Sequence, residues 1–451
     1  MKKSEWNFTT GSIPKQLCLF TFPLFCSNLL QALYSLTDML VIGYFTDSSG
    51  LVAISNASML CFIINSIGIG LSIGGSVVAA EAYGKGAWTE INKIIISQFF
   101  IMMWISIPIS LGTWLFNREI FWIMDIPAEA LSSAGKYMDI TAIGVFFSFS
   151  CNAVCGLLRG IGDSRHPLFF IMIASIINIL LDLLLVGFYN LGTSGAAWAT
   201  VIAQGGALTA GVVYLMKGDF SLKKTRCSDL HLLWRQIFDI LRTGIPCAFQ
   251  MIVVNLAFLL VTGIFNRYGI SAAAAAGVGL KVSTLAGMPC WAIGQAVTAM
   301  SAQNMGAGKR DRVAEVARTG IRLGILVTGL TVLIVQIFPH QIIRCFNTSP
   351  EVIQLGILYL RIFSSFSAFA YTVMYICDCF AAGTGAPSLA LFNSLLEAVF
   401  LRLALCWIFE SVLNYGFAGV CLGMALSTLP PAMIGLAYLH WGRWRKGGSK
   451  D

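Results

Sequence analysis

Twelve apolar stretches of about 20 to 30 residues recur along this chain, each long enough to cross roughly 30 Å of hydrocarbon at 1.5 Å per helical residue. They fall near 14–43, 51–80, 91–115, 134–158, 168–189, 193–216, 237–265, 271–301, 319–339, 353–380, 388–413 and 416–441. Inside a bilayer each backbone N–H and C=O must find its partner within the protein, so stretches of this length are expected to be helices. An all-α polytopic membrane protein follows. With 57% hydrophobic residues and 11% charged, the composition exceeds what a soluble core requires.

The basic residues orient the bundle. With Lys15, Lys93, Lys136, Arg242 and Arg361, which lie toward span ends, counted with the adjoining loops, the N-terminus, the even-numbered loops and the C-terminus carry 21 of the 29 Lys and Arg, the odd-numbered loops 5, and the spans 3 (Lys281, Arg322 and Arg402). Loops retained in the cytoplasm are enriched in Lys and Arg, which puts both termini inside. The formal charge of +8 reflects this distribution, and no basic stripe with interleaved aromatics points to nucleic acid. The opening MKKSEWNFTTGSIPKQL lacks a short apolar core with a small-residue cleavage site, so the first span is read as retained. The thirteen cysteines form no CxxC pair, lie mostly in spans and are expected to be buried and reduced. His166, His231, His340 and His440 lie far apart, without zinc-site spacing.

A parallel internal repeat with an offset of about 223 residues divides the chain. SVVAAEAYGKG, ending at Gly86, aligns with TAMSAQNMGAG, ending at Gly308, and Pro23 aligns with Pro246. Gly160 and Gly162 match Gly383 and Gly385, and Gly195 matches Gly419 with one residue of drift. Two six-helix lobes are expected, residues 1–220 and 221–451, joined by a charged cytoplasmic linker at about 217–236. Parallel repeats of this kind suit alternating access to a site between the lobes.

Asp38 and Asp182 each lie inside an apolar stretch, where an ionised carboxylate costs about 2.5–3.5 kcal/mol at mid-membrane. Acids kept at that depth mark ion or proton pathways. Asn178 is one turn before Asp182 on the same helix face, and Tyr34 and Gln31 precede Asp38 on much the same face. The sixth span adds Thr200 and the fourth adds Asn152, either of which could instead only bridge helices. Carboxylate, amide and hydroxyl oxygens are hard ligands suited to a small cation, so Na⁺ at Asp38, Asn178, Asp182 and Thr200, or a shared proton, are both open. In the second half, Lys281, Glu397 and Arg402 form a possible polar site. Glu397 and Arg402, five residues apart and about 140° round an α-helix, are expected to find partners on other helices. Met and Phe residues are plentiful enough to line a broad cavity, but no single one stands out as a substrate contact.

Taken together, Pro23 with LYSLTDMLVIG ending at Gly43, RGIGDSRHPLFF…NILLD from Arg159 to Asp182, GAAWAT to Thr200 and SAQNMGAGKRDRV from Ser301 resemble the multidrug and toxic compound extrusion (MATE) transporter family over essentially the whole chain. The resemblance implies twelve helices in two pseudo-symmetric lobes around a V-shaped cavity. It also implies export of organic cations or other amphipathic compounds against inward H⁺ or Na⁺, with no cofactor and no enzymatic activity. Asp38, Asn152, Asn178, Asp182 and Thr200 match the branch that couples in the N-terminal lobe, the DNA-damage-inducible F-like (DinF-like) group, with Pro23 where the first helix bends and Tyr34 beside the site. The branch with acids on the seventh and tenth spans fits less well, since here these hold only Asp239 and Asp378, near the span ends. A multi-pass monomer in the plasma or inner membrane, handling drug-like small molecules, is expected. The main alternative, a flippase of lipid-linked saccharides, would need more Arg and Lys in its cavity than Lys281, Arg402 and Arg322 supply. An intramembrane enzyme would need clustered acids or a zinc motif, and neither is present in the sequence.

Overall fold

In the computed structural model, which describes residues 7–46, 48–124, 126–217 and 230–445, twelve helices are long and apolar enough to cross a membrane. The first half comprises α1 (Ile13–Phe45), α2 (Ser48–Lys85), α3 (Trp88–Ile123), α4 (Ala128–Gly160), α5 (Arg165–Asp182, running on as a π turn over Leu183–Phe188) and α6 (Gly192–Lys217). The second comprises α7 (Leu230–Asn266), α8 (Ile270–Gly306), α9 (Arg310–Ile337), α10 (Pro339–Arg344), α11 (Pro350–Phe363), α12 (Phe366–Gly383), α13 (Pro387–Leu395), α14 (Arg402–Trp407), α15 (Gly416–Leu426) and α16 (Leu429–Trp441). Of the linker expected at 217–236, residues 218–229 lie outside the described residues, and the rest belongs to the ends of α6 and α7.

Side chains are distributed as lipid demands. Along α3, Trp104, Ile107, Leu111 and Trp114 are exposed, whereas Ser97, Gln98, Ser106 and Asn117 are buried. The polar groups that would be stranded in hydrocarbon instead face other helices. Buried Gln98, for example, donates through Nε2 to the Leu71 carbonyl of α2 at 3.3 Å. The cysteines fit the same economy: Cys155, Cys247, Cys290, Cys377, Cys406 and Cys421 are buried, and no described cysteine is in a disulfide.

The chain forms two compact units. One contains Cys26–Ala248, the other Phe8–Phe25 together with residues 249–445. Each long helix bearing a repeat proline therefore divides between units just beyond that proline, α1 after Pro23 and α7 after Pro246. Proline removes a helical hydrogen bond and crowds the preceding turn, which makes these the natural points for the two halves of a helix to part.

Within the first unit, α4 packs against α2, α3 and α6. One core gathers Ile94, Ile95, Met102, Phe149, Leu157 and Leu158, and another Ile42, Ile54, Phe121, Tyr137, Met138 and Val186. Inside the second unit, α8 packs on α9, α11 and α12, around Phe265, Tyr359, Leu360 and Met424.

The repeat glycines have a common backbone cause. Gly86 and Gly308 both take positive φ (71° and 73°), as do Gly162 and Gly385 (95° and 82°), a conformation that disfavours side chains. Gly160 and Gly383 lie against the backbone carbonyls of Ser76 and Thr298, where a Cβ would collide. The one-residue drift also has a structural origin. Between Gly385 and Gly419 the second half contains an additional π turn, Leu396–Leu401, before the π turn Ile408–Val412 that corresponds to Leu183–Phe188. A π turn is wider than an α turn and accommodates the extra residue.

Two local expectations need correction. The stretch 353–380 is broken: α11 ends at Phe363 and α12 begins at Phe366. The local sequence RIFSSFS, with Arg361 and three serines, is the one sign of this break in an otherwise apolar stretch. Gln336 of α9 makes it tolerable by donating to the carbonyls of Leu360, Arg361 and Ser364 at 3.3, 3.3 and 2.8 Å, carbonyls that lipid could not satisfy. Glu397 and Arg402 pair directly with each other, the guanidinium donating to Glu397 Oε1 through both Nη2 and Nε, the latter at 3.1 Å. The intervening π turn is the reason, because its i→i+5 repeat brings residues five apart onto one face.

SAQNMGAGKRDRV, at the end of α8 and the start of α9, grips the segment before α1. Gln303 Oε1 accepts from the Phe8 N–H at 3.4 Å, and Asn304 Nδ2 and Arg312 Nη2 donate to the Phe8 carbonyl at 3.2 and 3.0 Å. Lys309 donates to the Thr9 carbonyl at 2.8 Å and Arg312 Nη1 to that of Gly11 at 2.9 Å. Phe8, fully buried, packs edge-on against Phe20.

Candidate cation site

The first unit encloses a cavity of about 180 Å³ between α1, α2, α3, α4 and α6. Its polar wall includes Tyr34, Asp38, Asn65, Tyr137, Thr141 and Thr200, with Gln204 further along α6. Asp38 is only partly buried and meets this space directly.

Behind the wall lies a second tier. Asp182 is 0% exposed and Asn178 is 1% exposed, both on α5, one turn apart. Asp182 is the last residue of the regular α-helix before the π turn, so its backbone sits where the helix changes pitch, a recurrent feature of functional positions. The carboxyl groups of Asp38 and Asp182 lie within hydrogen-bonding reach of each other. Tyr34 and Tyr137 are close enough to feel the field of both. Asn178 Nδ2 donates to Thr200 Oγ1 at 3.4 Å, which joins the second tier to the wall.

Four oxygens of this cluster are left without a donor. Asp38 Oδ1, both carboxylate oxygens of Asp182 and Asn178 Oδ1 are buried, and none accepts a hydrogen bond from the described protein. Buried acceptors are ordinarily satisfied, and two neighbouring carboxylates repel unless something positive lies between them. The donor set consists wholly of oxygen, which matches a proton or a small hard cation and offers nothing to a soft metal. Among the described residues no group of three or more His, Cys, Asp or Glu could hold a metal ion.

Of the residues singled out from the sequence, Asp38, Asp182, Asn178, Thr200 and Tyr34 come together here. Asn152 does not join them: its Nδ2 donates to Asn65 Oδ1 at 3.0 Å, an oxygen that also accepts from Ser148 at 2.9 Å. Asn152 therefore supports the wall through Asn65. Pro23 is buried in the other unit, and Gln31 is exposed. Sequence reading missed Asn65, Tyr137 and Gln204. A lone amide inside the apolar run CFIINSIGIG was the available signal for Asn65; Tyr137 carried none, since tyrosine near a span end is commonplace.

The second unit holds a buried charged pair. Glu397 and Arg402 are 2% and 3% exposed; Ser427 donates to Glu397 Oε1 at 3.0 Å, and the guanidinium lies 4.8 Å over the Phe258 ring. Nearby, Asn393 Nδ2 donates to Asp378 Oδ1 at 2.7 Å. Lys281 is exposed and takes no part in this network.

The sequence profile of the MatE family matches the chain twice, over residues 23–184 and 246–408, reproducing the internal repeat. The chain is similar to the probable multidrug resistance protein YpnP of Bacillus subtilis (27% identity, covering 98% of each chain). It is likewise similar to the probable multidrug resistance protein YoeA of the same organism (30% identity, covering 76% of each). Its fold matches the crystal structure of MATE in the bent conformation with a TM-score of 0.89 at 19% identity, over 97% of this chain and 96% of that one. With the family pattern spanning both halves and the fold agreeing end to end, the chain belongs to the MATE family of membrane transporters.

Proposed function

We propose that this transporter exports drug-like organic cations or other amphipathic compounds, driven by inward H⁺ or Na⁺ bound between Asp38 and Asp182. The observation that carries the reading is the set of four buried oxygens without donors, two acids among them, at the edge of a cavity. The names of the relatives, multidrug resistance proteins, support the substrate class.

In this reading a cation enters the cavity at Asp38 and is shared with Asp182, Asn178 and Thr200. Its charge removes the repulsion between the two carboxylates and lets α1 pack more closely on α5. Pro23 and Tyr34 belong to the helix that responds, with Pro23 as the bend and Tyr34 lining the site. The repeat halves, residues 1–220 and 221–451, act as the two lobes, except that Phe8–Phe25 goes with the second and the chain up to Ala248 with the first. The basic loops favour both termini in the cytoplasm of a cell whose plasma or inner membrane holds the protein as a monomer. Inward movement of each net charge gains about 2.3 kcal/mol per 100 mV. Ion and substrate must favour opposite states for that energy to be coupled. Glu397 and Arg402 act as a structural pair, with Lys281 outside it.

The deciding experiment is export of a fluorescent organic cation from proteoliposomes under a Na⁺ gradient or a pH gradient imposed separately, for the native chain and for Asp38→Asn. Export driven by one gradient and lost in the variant is expected. Equal driven export by both proteins would refute the assignment.

A further inference from the structure

We propose that a groove between the start of α1 and the middle of α9 binds an anionic phospholipid, its phosphate on Arg322 and one acyl chain along the apolar wall. The groove, within the second unit, has a volume of about 210 Å³ and is lined by Pro14 and Cys18 of α1 and by Thr319, Arg322, Leu323 and Leu326 of α9. Apart from Thr319 and the guanidinium, its walls are apolar.

Arg322 lines it, and two further basic residues, Lys15 and Arg318, are sequence neighbours of its lining residues Pro14 and Thr319. Arg322 is exposed, Arg318 is exposed one turn earlier on the same face, and Lys15 is exposed next to Pro14. None of the three makes a hydrogen bond or ion pair within the described residues. Glu315, three residues before Arg318, is exposed and does not pair with it. The neighbouring basic residues are committed elsewhere, because Lys309 and Arg312 hold the backbone of Thr9, Phe8 and Gly11. That grip also fixes the start of α1 beside α9, so the groove is formed before any ligand arrives.

Depth selects the ligand. From Leu323 to Ile337 α9 has no charged residue, a run of about 22 Å at 1.5 Å per residue. Against a hydrocarbon thickness of about 30 Å, Arg322 then lies inside the apolar layer, within reach of its edge. An unpaired guanidinium there either stretches to the interface or meets an anion brought to it. A lipid phosphate on the basic side of the membrane is at that level, and its acyl chain follows Leu323 and Leu326 inward; basic pockets between helices are known takers of such head groups. A soluble anion would match the charge but leave the apolar wall uncovered.

The test uses the full chain, delipidated in neutral detergent and titrated with phosphatidylglycerol or phosphatidylcholine, reading bound lipid by native mass spectrometry and thermal stability in parallel. Phosphatidylglycerol should remain bound and stabilise, while phosphatidylcholine should do so far less. Arg322→Gln should weaken phosphatidylglycerol about fivefold, and Arg318→Gln with Arg322→Gln about 25-fold, at one such factor per basic side chain. Arg322→Lys should keep most of the binding, which separates lost charge from lost fold. Equal binding of the two lipids, unchanged binding by the double variant, or equal stabilisation by glycerol phosphate without acyl chains would each overturn the proposal.

Discussion

Asp182 faces Asp38 within hydrogen-bonding reach, yet no N–H or O–H of the described protein donates to either oxygen of Asp182. Other buried polar atoms also lack a partner, Gln98 Oε1 and Asn393 Oδ1 among them, but here the unsatisfied atoms belong to two neighbouring carboxyl groups, whose repulsion a positive charge would relieve. The second half has no counterpart. At the repeat offset of 223 the position of Asp38 is occupied by Val261, and with the one-residue drift those of Asn178 and Asp182 are occupied by Arg402 and Cys406. Where one half leaves carboxylates unsatisfied, the other supplies its own cation from Arg402 to Glu397.

Substituting either acid should therefore separate folding from coupling. Asp38→Asn and Asp182→Asn are expected to insert and purify normally, since each removes a repelling charge. Gradient-driven export should fall by about 5- to 150-fold, the range of a typical coupling free energy. Transport in proteoliposomes alongside thermal stability checks both halves of this expectation. A variant that lost stability in parallel with transport would mean that the pair serves the fold.

Thr200 should have a milder effect. It lines the cavity and accepts from Asn178 at a long 3.4 Å, so Thr200→Ala removes one neutral oxygen and one weak contact. At about 0.5–1.5 kcal/mol for such a hydrogen bond, the concentration of driving ion giving half-maximal export should rise roughly two- to tenfold. Maximal export at saturating ion should be nearly retained.

Asn152, by contrast, should affect stability without changing the ion response. Its amide donates to Asn65 and not to the acids, and interhelical hydrogen bonds in membranes contribute about 0.6 kcal/mol on average and at most about 1.7. Asn152→Ala should lower the unfolding free energy by that order, as read by denaturant titration in detergent micelles. The ion dependence of transport should match that of the native chain.

Much of this architecture could be read from the sequence because lipid imposes simple rules. A helix must be apolar for about 20 residues, so span number and approximate limits follow from hydropathy, and the buried acids stand out against it. What stayed hidden depends on backbone detail that hydropathy does not encode. The break at Ser364 and Ser365 sits in a short polar patch, RIFSSFS, of an otherwise apolar stretch, and is tolerated because Gln336, a helix away, satisfies the freed carbonyls. The Glu397–Arg402 pair looked impossible at 100° per residue and becomes natural once the turn between them is a π turn. Asn152 shared residue type and depth with Asn178; only the packing of α2 on α4 assigns it to Asn65 instead.

The buried pair in the second unit leads to a double-substitution test. Removing one partner strands the other in a low-dielectric interior, at a cost of about 3–5 kcal/mol. Arg402→Met alone and Glu397→Gln alone should both be clearly destabilised. The combined variant should recover most of that loss, since two neutral side chains of similar volume need no mutual charge. Arg402 also covers Phe258 at 4.8 Å, so methionine is a better replacement than alanine for keeping the packing. Thermal unfolding of the three variants in one detergent gives the coupling energy directly, and additive losses would show that the pair is not energetically linked.

Arg312 ties three groups together, donating to the carbonyls of Phe8 and Gly11 and to Asn304 Oδ1, the last at 3.3 Å. Arg312→Ala should leave the Phe8 carbonyl with Asn304 alone and the Gly11 carbonyl without this donor. At roughly 1.5–3 kcal/mol for a hydrogen bond from a charged donor, local opening of this segment should become about ten- to a hundredfold more frequent. Hydrogen exchange at the amides of Phe8 and Ile13 should accelerate accordingly, with the cores around Phe149 and Met424 unaffected. Lys309→Ala should give a smaller acceleration, because Lys309 holds only the Thr9 carbonyl. If exchange in this segment stayed at native rates in both variants, the burial of Phe8 against Phe20 would be sufficient to hold it, and the polar grip would be secondary.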